Sequence, residues 1–295
     1  MKVLMITGDR NFAASPRAAL QTAQVEKLEV VFMGRGSLWP SIPHEQYDVV
    51  TSQDPFWRGL FAWRLARKRG AKLNVQVHAD LSAQPFVRHV LAQIVLRHAN
   101  SVRVVSEKLK QQVGRIAPRA SVHVLPVYIN AAKFKNIARE PHDTKTVLWI
   151  GRFEDEKDPL LALDVIKKIP DAKLIMLGSG SLESRIKQQI SRLNLEKVVE
   201  LRGWQDPIVY LAQADVVLST SRHESFGASI IEALAAKVPV VAPDVGVARE
   251  AGAIIKERSE LAEAAVEVLR SGARGELKLR LLSAEEWAKE WKKTL

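Results

Sequence analysis

The chain has no cysteine. That absence excludes disulfides, thiolate metal sites and cysteine nucleophiles, and it is compatible with a reducing compartment. Also missing is any uninterrupted apolar stretch near the ~20 residues that a membrane-spanning helix needs. The apolar run at Val3-Leu4-Met5-Ile6 is too short for a signal peptide and runs straight into Gly8-Asp9-Arg10, so it reads as a first strand. There is no internal repeat, no low-complexity tract and no nucleic-acid recognition motif. Acidic residues are scarce in one half only. Residues 1–140 hold 21 Lys and Arg against 9 Asp and Glu, a net +12, and residues 141–295 hold 23 against 24, a net −1. A surplus so placed suits either a well-solvated surface or an anionic partner such as a nucleic acid, a phospholipid or a phosphorylated substrate.

What is present is apolar enough to build real cores, at 47% hydrophobic residues over 295 positions, and long enough for two domains. Short runs rich in Val, Ile and Leu alternate with helical periodicity from end to end, the pattern of parallel sheets covered on both faces. The expected strands lie near residues 3–7, 30–33, 49–52, 73–77, 101–105 and 123–125, then 147–150, 173–177, 198–201, 216–219 and 240–242. Residues 131–145 are polar, lack an apolar face and contain Pro141, which makes them the best linker candidate. After Gly180, the positions Leu182, Ile186, Ile190 and Leu193 line one helical face. Asp206-Pro207 opens another helix with an N-cap and a first-turn proline, and Ser283 to Glu286 forms a capping box before Trp287 and Trp291.

Ligands of open parallel sheets bind at the carboxyl ends of strands. Four loops of the second half stand there. Gly151 to Lys157 places Arg152 and Lys157 around a turn, able to grip a diphosphate or simply to carry surface charge. Gly178-Ser179-Gly180 allows close backbone approach to a ligand, although the same glycines serve any tight turn. Leu201-Arg202-Gly203-Trp204 carries little signal by itself. In the fourth loop Glu224 precedes Phe226-Gly227-Ala228, and Glu232 sits in a helix of apolar residues, where an unpartnered carboxylate is costly. Ser229 and Glu232 are one helical turn apart and form the only polar stripe of that helix, which is therefore expected to face a cleft.

The stretch from Glu224 to Glu232, "ESFGASIIE", resembles the E-x7-E signature of the retaining GT-B glycosyltransferases of group 1, also called family 4. "GRFEDEKDP", "LGSG" and "LRGW" resemble that family's other C-terminal loops in order and spacing, and "YDVVTSQDPFWRGLFAWRLARKRGAKLNVQVHAD" looks like its acceptor-domain core. The resemblance implies two Rossmann-like domains whose parallel sheets face a cleft, with a UDP- or GDP-linked sugar as donor, no other cofactor and no metal. It implies that Arg152 and Lys157 bind the diphosphate, Glu224 touches hydroxyls of the donor sugar and Glu232 holds the ribose. Arg202, Gly203 and Trp204 then meet the base, while Gly178, Gly180, Phe226, Gly227 and Ala228 line the donor. His78 matches a family histidine that faces the transferred sugar, and His78 with Asp80 is too small a set for a metal. Three departures stand out. Gly8 is the single glycine of a loop that the family makes glycine-rich, Pro126 to Asn130 replaces a family turn near the domain junction, and Asp158 stands where many relatives have glycine.

The resulting expectation is an N-terminal acceptor-side domain over residues 1–140, a donor-binding domain over 141–282 and a C-terminal helix over 283–295 that crosses back. The activity expected is transfer of a sugar with retention to a hydroxyl of a lipid-linked or cell-envelope glycan. A sugar-nucleotide epimerase or hydrolase of the same fold, and a basic nucleic-acid-binding protein, are the rival readings. The chain is expected in the cytoplasm, peripheral on the inner face of the membrane. Residues 54–72 mix Trp57, Phe61 and Trp63 with Arg58, Arg64, Arg67, Lys68 and Arg69, as an interfacial helix does, whereas Leu60, Phe61 and Leu65 also make an ordinary core face.

Overall fold

Val3 to Ile6 are wholly buried, because an interior strand of a parallel sheet is covered by helices on both faces. A computed structural model describes residues 1–34, 40–140 and 142–295, in two units. One comprises Met1–Tyr128 with Leu282–Leu295, the other Ile129–Leu281.

The first unit begins β1 (Lys2–Thr7), α1 (Pro16–Thr22), β2 (Lys27–Phe32), β3 (Val49–Ser52), α2 (Trp57–Arg69) and β4 (Lys72–Val77). It continues α3 (Phe86–Arg97), β5 (Ser101–Val104), α4 (Glu107–Ile116) and β6 (Ser121–Val124). All six strands are parallel, in the order β2-β1-β3-β4-β5-β6. β2 begins earlier than the apolar run at 30–33 suggests. It is an edge strand, and Lys27 and Glu29, with Lys27 paired to both Glu29 and Glu45, hide its start.

The second unit comprises α5 (Ala132–Lys135), β7 (Lys145–Ile150), α6 (Pro159–Ile166), β8 (Ala172–Leu177), α7 (Glu183–Arg192) and β9 (Val199–Leu201). Then follow α8 (Pro207–Leu211), β10 (Val216–Leu218), α9 (Ala228–Ala235), β11 (Val240–Ala242), α10 (Ala248–Ala251), β12 (Ile254–Ile255) and α11 (Leu261–Ser271). Its strands are again all parallel, ordered β12-β11-β10-β7-β8-β9. β12 is only two residues long and leaves no apolar run to find. Ile186 and Ile190 of α7 are buried as the spacing requires, and Asp206 accepts from Ile208 N at 3.1 Å as the N-cap of α8.

Residues 131–145 are not a free linker throughout. α5 buries Phe134 and touches α9, so the boundary between units falls at 128/129 rather than at 140/141. Pro141 lies outside the described residues.

The last helix, α12 (Ala284–Lys293), carries both bonds of the capping box: Ser283 accepts from Glu286 N at 3.2 Å, and Glu286 accepts from Ser283 N at 2.9 Å. Trp287 and Trp291 bury themselves among Met5, Phe12, Ala18 and Leu125 of the first unit. Trp287 also donates its indole hydrogen to Pro126 O at 2.8 Å. No helix among the described residues is long and apolar enough to cross a membrane.

Candidate active site

Chain order along the second sheet reverses between β7 and β10, since β8 lies on one side of β7 and β10 on the other. Such a switch point opens a crevice at the strands' carboxyl ends, because the loops leaving the two central strands diverge to opposite faces. Those loops, residues 151–158 and 219–227, are the ones that carry Arg152, Lys157 and Glu224.

Lys157 Nζ pairs with Glu224 Oε1, and the same carboxylate oxygen accepts from Ser221 Oγ at 3.0 Å. Both charges are largely withdrawn from water, which makes the pair more costly to break than a surface one. Arg152 points elsewhere: it is exposed and ion-paired to Glu156. The two cations thus share a loop but are held by different acids.

What holds the two loops together is a set of contacts that sequence reasoning missed. Trp149, buried on β7, donates to Thr220 Oγ1 at 2.9 Å. The Thr220 hydroxyl lies 2.9 Å from Lys157 O and 2.8 Å from Asp158 O, and Arg222 N donates to Glu156 O at 2.8 Å. Asp158 adopts a left-handed conformation, φ 45° and ψ 60°, at the N-cap of α6. Its carboxylate is bonded by Arg222 Nη2 at 2.6 Å and by Arg258 Nη2. The departure from glycine at Asp158 was the one visible signal, whereas nothing local pointed to Arg258.

Glu232 lies on α9, half-buried, and its carboxylate has no hydrogen bond or ion pair to any of the described residues. Burial, assisted by the charge of Asp206, pushes its carboxyl up to about 7. An acid held near neutrality without a protein partner is a group poised to receive one from a ligand. Phe226 is buried, Gly227 is the left-handed N-cap of α9 at φ 94°, and Ala228 is exposed at the helix start.

The glycines of Gly178-Ser179-Gly180 have a packing reason. A side chain at Gly178 would meet Gly151 O at 1.8 Å, and one at Gly180 would meet Phe153 O at 2.4 Å, so the loop after β8 is pressed against the loop after β7. Phe153 N donates to Ser179 O at 2.9 Å across that contact. Gly203 O accepts from Gly178 N at 2.8 Å, joining the next loop to the series. Arg202 is exposed and paired with Glu200, while Trp204 keeps 56% of its surface exposed.

In the first unit, His78 follows directly on β4 and stays neutral, because desolvation and then the Arg103 and Arg17 charges push it well below the usual histidine range. Asp80 is committed to structure. Although burial opposes its charge, bonds from Ser82, Lys108 and Gln112 hold its carboxyl far below the usual range. Gly8 follows β1, and its missing side chain leaves room for the Arg58 guanidinium, which would lie 2.4 Å from a Cβ there. On α2, Phe61 is buried and Trp63 stacks on His98 with ring centroids 4.1 Å apart, which leaves Trp57 as the aromatic that α2 exposes.

Two Rossmann-like units, the second with Arg152, Lys157 and Glu224 on the loops at its switch point, define a two-domain α/β class of protein. A family model described as "Glycosyl transferases group 1" matches residues 130–272, and one described as "Glycosyl transferase 4-like domain" matches residues 11–127. The chain belongs to the group 1 glycosyl transferases of the GT-B fold. It is 31% identical over 156 residues to the poly(ribitol-phosphate) alpha-N-acetylglucosaminyltransferase of Staphylococcus aureus, which is 51% of this chain and 32% of that protein. The chain spans about a third of the length of the first curated relatives that it matches. Among solved structures, sucrose-phosphate synthase from Thermosynechococcus elongatus aligns with a TM-score of 0.77 at 17% identity, covering all of this chain and 94% of the other. Anabaena HepE in complex with UDP-glucose aligns with a TM-score of 0.75 at 18% identity, covering all of this chain and 95% of the other. These two share the fold.

Proposed function

We propose that the chain transfers a sugar from a nucleoside-diphosphate donor to an acceptor hydroxyl, with retention at the anomeric carbon. The observation that carries this reading is the Lys157–Glu224 pair at the switch point, with the unpartnered Glu232 beyond it on α9. A donor diphosphate replaces Glu224 at the Lys157 ammonium and frees the carboxylate to accept hydrogen bonds from the sugar. Arg152 leaves Glu156 and joins Lys157 on the diphosphate, offsetting the charge that grows there as the glycosidic bond breaks. Positive charge on these two side chains does the work often given to a divalent ion, so none is invoked. Glu232, as a carboxylate, accepts from the ribose hydroxyls. Neutral His78 serves the transferred sugar as a hydrogen-bonding group rather than as a charge.

Retention follows if the acceptor attacks on the face that the diphosphate leaves, with a leaving phosphate oxygen accepting the hydroxyl proton. The S. aureus relative is an alpha-N-acetylglucosaminyltransferase by name, which supports an alpha-linked product here, and HepE was solved with UDP-glucose, which supports a UDP donor. A lipid-linked or cell-envelope glycan is the acceptor we favour, since the relative's named acceptor is a polymer of ribitol phosphate. Thermal stabilisation by a panel of UDP- and GDP-sugars tests the donor. A true donor at about 100 times its dissociation constant adds about 2.7 kcal/mol. Silence across the panel overturns the reading, and turnover of the donor without any acceptor converts it to an epimerase or a hydrolase.

A further inference from the structure

Most large apolar side chains of the first unit are buried, but α3 is an exception. Phe86 is 81% exposed and Val87 60%, and Val90 and Ile94 are exposed as well. At 3.6 residues per turn these four positions fall within an arc of about 100° on one side of the helix. The opposite side, Leu91, Ala92, Val95 and Leu96, is packed into the unit. α3 thus has two apolar faces, and only one of them is used.

α2 extends this surface. The β3-to-β4 and β4-to-β5 crossovers run in the same direction along the sheet, so α2 and α3 lie on the same face of it, and they pack together, with Gly59 leaving room for Val95. Trp57, 61% exposed, stands at the start of α2, and Arg88 of α3 lies 4.3 Å over the ring of the adjacent Phe56. Exposed Arg64, Arg67 and Lys68 follow along α2, and Arg97 ends the apolar stripe of α3.

The charge here is one-sided. Residues 55–106 contain nine Lys and Arg and a single acid, Asp80, which is buried and bonded to Lys108. Asp54, just before α2, pairs with Arg58, but among the described residues no acid pairs with the exposed Arg64, Arg67, Lys68, Arg88 or Arg97. A protein partner or a second copy of this chain needs an acidic, apolar counterpart for that face, and nucleic acid supplies the anions but makes no use of the aliphatic stripe. A bilayer containing anionic lipid uses both: phosphates meet the guanidinium and ammonium groups, and the headgroup boundary takes Phe86, Val87, Val90, Ile94 and Trp57.

We infer that the outer face of α2 and α3 seats the protein on an anionic membrane surface, by shallow insertion of the α3 stripe between flanking cations. The test is co-sedimentation of the full chain with phosphatidylcholine vesicles and with vesicles that also contain phosphatidylglycerol. Binding is expected to the anionic vesicles, to weaken steeply with salt, and to fall about tenfold or more in Phe86→Ser/Ile94→Ser and in Arg64→Gln/Arg67→Gln/Lys68→Gln. All five side chains are solvent-facing, so circular dichroism and nucleoside diphosphate affinity should match the parent, which separates this result from any failure of the donor-site reading. Equal, negligible binding to both vesicle types overturns the proposal. So does vesicle binding that the apolar pair leaves unchanged, or an oligonucleotide that displaces the vesicles without regard to the apolar pair.

Discussion

Lys157 and Glu224 are 67 positions apart in the chain and form one ion pair, made where the loops after β7 and β10 meet. The resemblance assigns one to the diphosphate and the other to the sugar. Their contact means that each restrains the other until a ligand separates them.

Substitutions of the pair should therefore fail differently. Lys157→Gln is expected to weaken free nucleoside diphosphate by about 1.5–3 kcal/mol, the worth of a charged hydrogen bond. Glu224→Gln leaves Lys157 with its charge and without its tether, so diphosphate affinity holds or rises while turnover falls. Calorimetric titration beside steady-state kinetics reads both. Equal losses of affinity in the two variants contradict the assignment.

Glu232 carries a pH dependence of definite sign. Its folded-state pKa of about 7 lies above the ordinary carboxyl value of 4.5, so the folded chain holds the proton more tightly between those values and loses stability as pH rises through that window. Glu232→Gln removes the penalty. In urea melts the variant should exceed the parent by about 2–3 kcal/mol at pH 8, and by little at pH 4. Its affinity for nucleotide should nevertheless be lower at pH 8, because the ribose loses a charged acceptor. A variant less stable than the parent at pH 8 contradicts the burial argument.

Asp158 sets a left-handed backbone against two arginine contacts. Asp158→Asn should cost about 1.5–3 kcal/mol of stability, since the charged bonds to Arg222 and Arg258 are lost. Asp158→Gly loses the same bonds but relaxes the backbone, which returns about 1 kcal/mol. Denaturant midpoints decide the order. Both variants should also weaken nucleoside diphosphate binding, because the Asp158 contacts hold the loop that presents Lys157.

Trp287→Ala should destabilise the first unit by about 3–5 kcal/mol, the usual cost of truncating a buried large aromatic. The indole is 2% exposed, bonds Pro126 O and lies 5.2 Å from Arg103 Cζ, so its loss opens a cavity beside a buried cation. Limited proteolysis should release the segment after Leu281 faster than in the parent. Unchanged melting and proteolysis would show that α12 is only loosely docked.

Much of this architecture was legible before the structure. Apolar runs marked ten of the twelve strands closely, and the capping box marked the start of α12 at Ser283. The failures have local causes. β2 starts among charges that an edge strand tolerates, β12 is shorter than any periodicity, and the polar segment around Phe134 buries one aromatic that no pattern announced. On α2 and α3 the sequence offers aromatics and cations in both helices, but which apolar residues face the sheet depends on how each helix sits on it.

The order of apolar runs and helical faces by itself determined a doubly wound parallel α/β chain, and four loop motifs carried the resemblance to the family that the family models then matched. Strand periodicity, caps and turns act over a few residues, so they are written where they act. Only the tertiary structure decided that β7 lies between β8 and β10, that Lys157 therefore meets Glu224, that Asp158 meets Arg258 a hundred positions away, and that Glu232 is left without a partner. The reason is physical: long-range charge pairing depends on which strands are neighbours and which side chains lose their water, and both are properties of the packed chain rather than of any local stretch.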